Sequence, residues 1–113
     1  MTREALIPWF ETLVQGVRSD APDLSARQPA ILLAVYLDPA PHTIRGLAHK
    51  LSISKPAVTR AIDFLSGLEF VRRMPDKNDG RSVFIQRTVK GSIYIDKLAA
   101  DFLSTMRGDA VPR

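Results

Sequence analysis

Ser52-Ile53-Ser54-Lys55-Pro56-Ala57-Val58-Thr59-Arg60 is the stretch that decides the fold. It reads as a tight turn over Ser52–Ser54 leading into a helix whose first turn exposes small, polar and cationic side chains. Ser54 suits an N-cap, because its hydroxyl can accept a hydrogen bond from an otherwise orphaned amide of the first turn. Pro56 is tolerated there, where its missing N–H costs no intrahelical bond. Val58, Ala61, Ile62 and Leu65 then recur at helical spacing and mark the face to be buried. Just upstream, Thr43 can cap a short helix over 44–51 with Ile44, Leu47, Ala48 and Leu51 on one side. Two short helices joined by a three-residue turn make a helix-turn-helix, whose second helix enters the major groove of DNA.

The flanks complete a frame around that motif. Phe70–Met74 and Ser82–Arg87 read as strands, with Val83 and Ile85 inward. Between them Asp76-Lys77-Asn78-Asp79-Gly80-Arg81 forms the tip of a β-hairpin wing, with Gly80 supplying an unusual backbone angle. Thr88 caps a long final helix in which Ile95, Leu98, Phe102 and Met106 form a seam that Leu103 widens; the tail from Gly108 is expected to fray. On the N-terminal side Trp9, Phe10, Leu13, Val14 and Val17 mark an amphipathic helix with Pro8 in its first turn. A linker over 19–24 leads to Ser25 and Gln28, a capping-box pair. That pair opens a helix through Ile31, Leu32, Val35 and Tyr36, which Pro39 and Pro41 end. The pattern predicts a mainly α (α+β) winged helix-turn-helix of about five helices plus a small hairpin. It is expected to be one domain over 1–113, with a core for DNA over 42–90 and terminal helices at about 7–18 and 89–106 for dimerisation.

Composition agrees. The 113 residues suit one modest core, without room for a large enclosed active site. The formal net charge is +4, but the segment from His42 to Lys90 carries ten Lys/Arg and four acids, a surplus of +6, while the remainder carries −2. Basicity is concentrated on the segment that holds the motif, as phosphate contact requires. The absence of cysteine removes disulfides and thiolate metal sites. His42, in a proline-rich loop, and His49, on a helix surface, have no carboxylate at ligand spacing, so neither a metal nor another cofactor is expected. No nucleophile, base and orienter form a recognisable catalytic pattern, which argues against an enzyme. No apolar run approaches the roughly 20 residues needed to cross a bilayer, and the expected location is the cytoplasm.

If Val58, Ile62 and Leu65 face inward, then Ser54, Lys55, Pro56, Thr59 and Arg60 face solvent and form the reading surface. Arg60 can reach a guanine edge bidentately or meet a phosphate. Ser54 and Thr59 can hydrogen-bond to base or phosphate, and Pro56 and Ala57 can pack on a thymine methyl. Arg81, near the wing tip, suits the narrow, negative minor groove of A·T-rich DNA. Asp79 holds the wing, either by pairing with a neighbour such as Arg73 or by accepting from turn amides. Lys77, Arg72 and Arg87 are candidate phosphate contacts, and Arg73 belongs with the DNA-facing set. Trp9, Phe10, Leu13 and Val17 together with Ile95, Leu98, Phe102 and Met106 are the candidate dimer interface; Trp9, Phe10 and Tyr36 read as core or interface, not as a ligand cage.

From Thr43 to Lys90 the chain resembles the MarR family of bacterial transcriptional regulators. The residues that carry the likeness are Leu47-Ala48-x-x-Leu51, Ser54-x-x-x-Val58-Thr59-Arg60, Phe70-Val71-x-Arg73, Asp76-x-x-Asp79-x-Arg81 and Thr88-x-Lys90-Gly91. The resemblance implies a homodimer on a near-palindromic operator of double-stranded DNA, often repressing nearby genes until a small-molecule effector or oxidant releases it. Two departures stand out. Glu69 replaces the glycine usual after the recognition helix, and a left-handed cap would cost a non-glycine residue about 1 kcal/mol there; the helix is therefore expected to end earlier or differently. The chain is also expected to lack the additional C-terminal helix that completes the dimer interface in many relatives. Other uses of the same frame are a winged-helix module for protein contact and a non-specific DNA binder. Cations on both the helix N-terminus and the wing favour sequence-specific DNA binding over the first of these, since a protein-binding helix would more often expose apolar anchors.

Overall fold

The computed structural model describes residues 3–22 and 24–107. The elements are α1 (Arg3–Arg18), α2 (Arg27–Leu37), β1 (His42–Thr43), α3 (Ile44–Leu51), α4 (Lys55–Gly67), β2 (Val71–Pro75), β3 (Val83–Arg87) and α5 (Val89–Met106). They fall into two compact units, Leu24–Tyr94 and the two terminal stretches Met1–Asp23 with Ile95–Arg113. The expected tail from Gly108 lies outside the described residues.

In the Leu24–Tyr94 unit the predicted stripes close a core. Ile31, Leu32 and Val35 of α2, Leu47 of α3, and Val58, Ile62 and Leu65 of α4 are buried together with Phe70, Val71 and Ile85. Burying side chains of this size stabilises by about 1.5–3 kcal/mol each. The sheet has three antiparallel strands in the order β1-β3-β2, with His42 opposite Ile85 and Arg73 also opposite Ile85 from the other side. The hairpin expected from sequence is present, but β1 adds a third strand. His42 is therefore in a strand and buried, not in a loop, and its Nε2 lies 3.1 Å from the Asp38 carbonyl oxygen. On β3, Ile85 is fully inward whereas Val83 is only half-buried.

The caps follow sequence chemistry with two exceptions. Thr43 accepts from the Gly46 amide at 2.9 Å, Ser54 from the Ala57 amide at 3.2 Å, and Thr88 from the Gly91 amide at 2.8 Å. At α2 the capping box is half made: Gln28 Oε1 accepts from the Ser25 amide at 3.0 Å, but Ala26 occupies the cap position and no side chain caps the helix. The other exception is Glu69. Its φ of 65° is left-handed, and the helix ends there nonetheless: the Phe70 amide donates to the Leu65 carbonyl and the Glu69 amide to that of Ser66. This is a Schellman closure with buried Leu65 and Phe70 in apolar contact positions. Thr88 Oγ1 donates to the Glu69 carbonyl at 2.7 Å and helps hold the strained residue. Helix α3 ends the same way, with Ser52 at φ 54° and the Ile53 amide on the Ala48 carbonyl.

A polar joint ties this unit to the start of α5. Tyr36 Oη donates to the Phe70 carbonyl at 2.8 Å and accepts from the Thr88 amide at 3.0 Å. Gly91 approaches so closely that a Cβ there would lie 1.9 Å from Tyr36 Oη and 2.2 Å from the Phe70 oxygen. Phe70 stacks on Tyr94 with ring centroids 4.4 Å apart.

The terminal unit is built differently. Helix α1 begins at Arg3, so Pro8 lies inside the helix and not in its first turn. Pro8 has no N–H to give Glu4, but the good helix formers before it carry the turn regardless. Its own carbonyl accepts from Thr12 Oγ1 at 2.8 Å. Thr12 Oγ1 also lies 3.2 Å from Thr105 Oγ1, which joins α1 to the far part of α5. No residue of α1 is buried.

Candidate nucleic-acid interface

Helix α4 presents two faces. Ala57, Val58, Ala61, Ile62 and Leu65 are buried, and Lys55, Pro56, Thr59, Arg60, Asp63 and Phe64 are exposed. Ser54 stands exposed at its N-terminus, with its oxygen occupied in the cap but its hydroxyl hydrogen still able to donate. The reading surface proposed from spacing is thus assembled, with one correction: Ala57 is 5% exposed and cannot meet a thymine methyl. It sits one residue from the Val58 stripe, and the helix packs deeper than a four-residue stripe suggested. Pro56 is exposed.

The wing runs from Asp76 to Ser82. Asp76 Oδ1 accepts from the Asn78 amide at 2.8 Å, and Asp79 Oδ1 from the Arg81 amide at 3.0 Å. Asp79 Oδ2 takes the Ser82 hydroxyl at 3.1 Å. Of the two roles open to Asp79, turn support is the one observed. These carboxylates spend their lone pairs on the turn itself, which leaves Lys77 and Arg81 exposed and without an ion-pair partner among the described residues. Gly80 is outside the left-handed region, so the unusual angle expected of it is absent; the two Asp-centred turns shape the tip instead.

The remaining cations divide. Lys55 and Arg60 are exposed and unpaired among the described residues. Arg72 Nε donates to Gln86 Oε1 at 3.2 Å across the hairpin, which leaves the rest of its guanidinium open. Arg73 pairs with Asp63 of α4 at 2.5 Å, not with Asp79. Arg87 donates to the carbonyls of Val35 at 2.9 Å and Asp38 at 3.1 Å, and lies over the Tyr36 ring at 5.7 Å. Two of its five donors thus tie β3 to α2. Sequence reasoning missed Arg45, exposed in the first turn of α3 and unpaired among the described residues. The available signal was its position: the first helix of a helix-turn-helix crosses the phosphate backbone.

Other chemistry is sparse. The described residues hold no group of three metal-ligating side chains. None of their helices is long and apolar enough to cross a membrane. An open cleft of about 510 Å³ is lined by Ser66, Glu69, Val71, Arg72, Arg73, Thr88 and Lys90.

Of the dimer candidates, Trp9, Phe10, Leu13 and Val17 are 59, 63, 50 and 85% exposed on α1. Phe102 and Met106 of α5 are also exposed, whereas Ile95 and Leu98 are half-buried.

Comparison with known proteins matches residues 24–83 to the MarR family model. The transcriptional regulator PecS of Dickeya dadantii is 33% identical over 86 residues, covering 74% of this chain and 52% of PecS, so the chain spans about half the length of that relative. Among solved structures, YusO of Bacillus subtilis superposes with a TM-score of 0.75 at 18% identity over 89% of this chain and 69% of its own. A mutant MarR of E. coli bound to operator DNA gives a TM-score of 0.66 at 22% identity, over 96% and 74% of the two chains. The winged-helix architecture is common to them.

Proposed function

The chain belongs to the MarR family of transcriptional regulators, non-enzymatic DNA-binding proteins, and from that premise we propose that it acts as a sequence-specific homodimeric repressor on a near-palindromic operator. The observation that carries the reading is the pair of unpaired cationic surfaces within Leu24–Tyr94, one on the first turns of α4 and one on the wing. Lys55 and Arg60 suit the major groove, with Arg60 on a guanine edge or a phosphate, while Arg81 suits an adjacent minor groove. Arg45, Arg72 and Lys77 supply backbone contacts that position the protein without reading sequence.

Two reading helices are needed to span two half-sites about one helical turn apart or a multiple of it. The exposed apolar residues of α1 and the end of α5 are the surfaces proposed to join two copies. Such a protein works where its DNA lies, in the cytoplasm of a bacterium. A small-molecule effector belongs to the same proposal, and the cationic cleft around Arg72, Arg73 and Lys90 suits an anionic one.

The discriminating experiment is a titration of the chain on the DNA upstream of its own gene, with unrelated DNA as competitor at fixed salt. Retention at a large competitor excess supports the operator reading. Loss in proportion to competitor would mean a non-specific binder, and no shift at all a protein-contact module.

A further inference from the structure

Asp63 stands where a DNA-reading surface should have no acid. At about 100° per residue, it falls between Thr59 and Arg60 at the middle of the exposed face of α4, about 6 Å further along the axis than Thr59. That separation is shorter than the Debye length of about 8 Å at physiological salt, so an unmasked carboxylate there repels the phosphates that the first two turns approach. Arg73 of β2 reaches this carboxylate at 2.5 Å.

On the reading of the chain as a DNA-binding protein, we propose that Arg73 is a positioning residue that cancels the Asp63 charge on the reading face and does not itself touch DNA. The pair is exposed, with the two side chains 36% and 62% accessible, so its direct contribution to folding is small. Its consequence lies in the field that the DNA meets. The neighbouring cations are not alternatives: Arg72 is directed to Gln86, and Arg60 has no acid within ion-pair distance among the described residues.

A double-mutant cycle tests this, using the duplex the parent chain selects from randomised DNA and anisotropy titrations at fixed salt. Arg73→Ala should weaken binding about tenfold, the scale of one uncancelled charge near several phosphates. Adding Asp63→Asn to that variant should restore affinity to within about twofold of the parent, and Asp63→Asn alone, which leaves the Arg73 charge uncancelled, should strengthen binding by up to about tenfold. Failure of the double variant to recover would overturn the proposal, because a phosphate contact or a mechanical clamp lost with Arg73 is not returned by removing its partner. Thermal melting of each variant separates these results from unfolding. A parent that selects no duplex overturns the DNA-binding reading itself, and is seen before any variant is made.

Discussion

The Leu24–Tyr94 unit and helix α1 handle their apolar residues in opposite ways. In the former, every leucine, isoleucine or valine of the helical stripes of α2 and α4 is sealed, and the exposed faces of α4 and the wing carry most of the cations. In α1, sixteen residues long, nothing is buried, and Leu6, Trp9, Phe10, Leu13 and Val17 are about half to four-fifths exposed. The first has a finished interior. The second has an unfinished one, since soluble chains rarely leave so much contiguous apolar surface uncovered. A second copy is the proposed cover.

The sharpest way to break that contrast is Phe10→Asp. Phe10 is 63% exposed, so a charge there does not disturb the unit's own interior, whereas the half-buried Leu98 would confound the two effects. Burying an unpaired carboxylate in an interface typically costs several kcal/mol, so association should fall at least a hundredfold by sedimentation, with the thermal midpoint of the dilute protein little changed. If association is untouched, α1 is not the joining surface.

Gly91→Ala attacks the finished unit. The added methyl collides with Tyr36 Oη and the Phe70 oxygen, and the backbone side cannot yield easily. The expected loss is about 1–3 kcal/mol, read from denaturant melts. Arg81→Ala should leave those melts unchanged and weaken operator binding about tenfold, a loss greatest on A·T-rich flanks; equal affinity would remove the wing from the interface. The smallest effect is a gain. Glu69→Gly relieves the left-handed strain at φ 65° and should stabilise by about 1 kcal/mol. The gain stays modest because glycine also loosens the unfolded chain.

What sequence revealed and what it concealed follow a physical line. Stripes and caps are local: Val58, Ile62 and Leu65 had to share a face, and Thr43, Ser54 and Thr88 had to cap, whatever surrounded them. Strand β1 is not local. His42–Thr43 becomes a strand only by pairing with Ile85 and Phe84, forty residues on, and no two-residue pattern announces that. The uses of Arg73 and Arg87 were hidden for the same reason, because a cation's partner is chosen by tertiary packing. Asp63 and the Val35 carbonyl are not visible from the hairpin's own sequence. Glu69 shows tertiary context overriding propensity, with Leu65, Phe70 and Thr88 fixing an angle that residue 69 would not choose.

Two copies of this chain are proposed to read one operator. The most direct test is sedimentation of the protein–DNA complex together with a footprint on the same duplex. Two chains per duplex are expected, with protection of two half-sites about one helical turn apart or a multiple of it. A single chain that binds specifically and protects one half-site would contradict it.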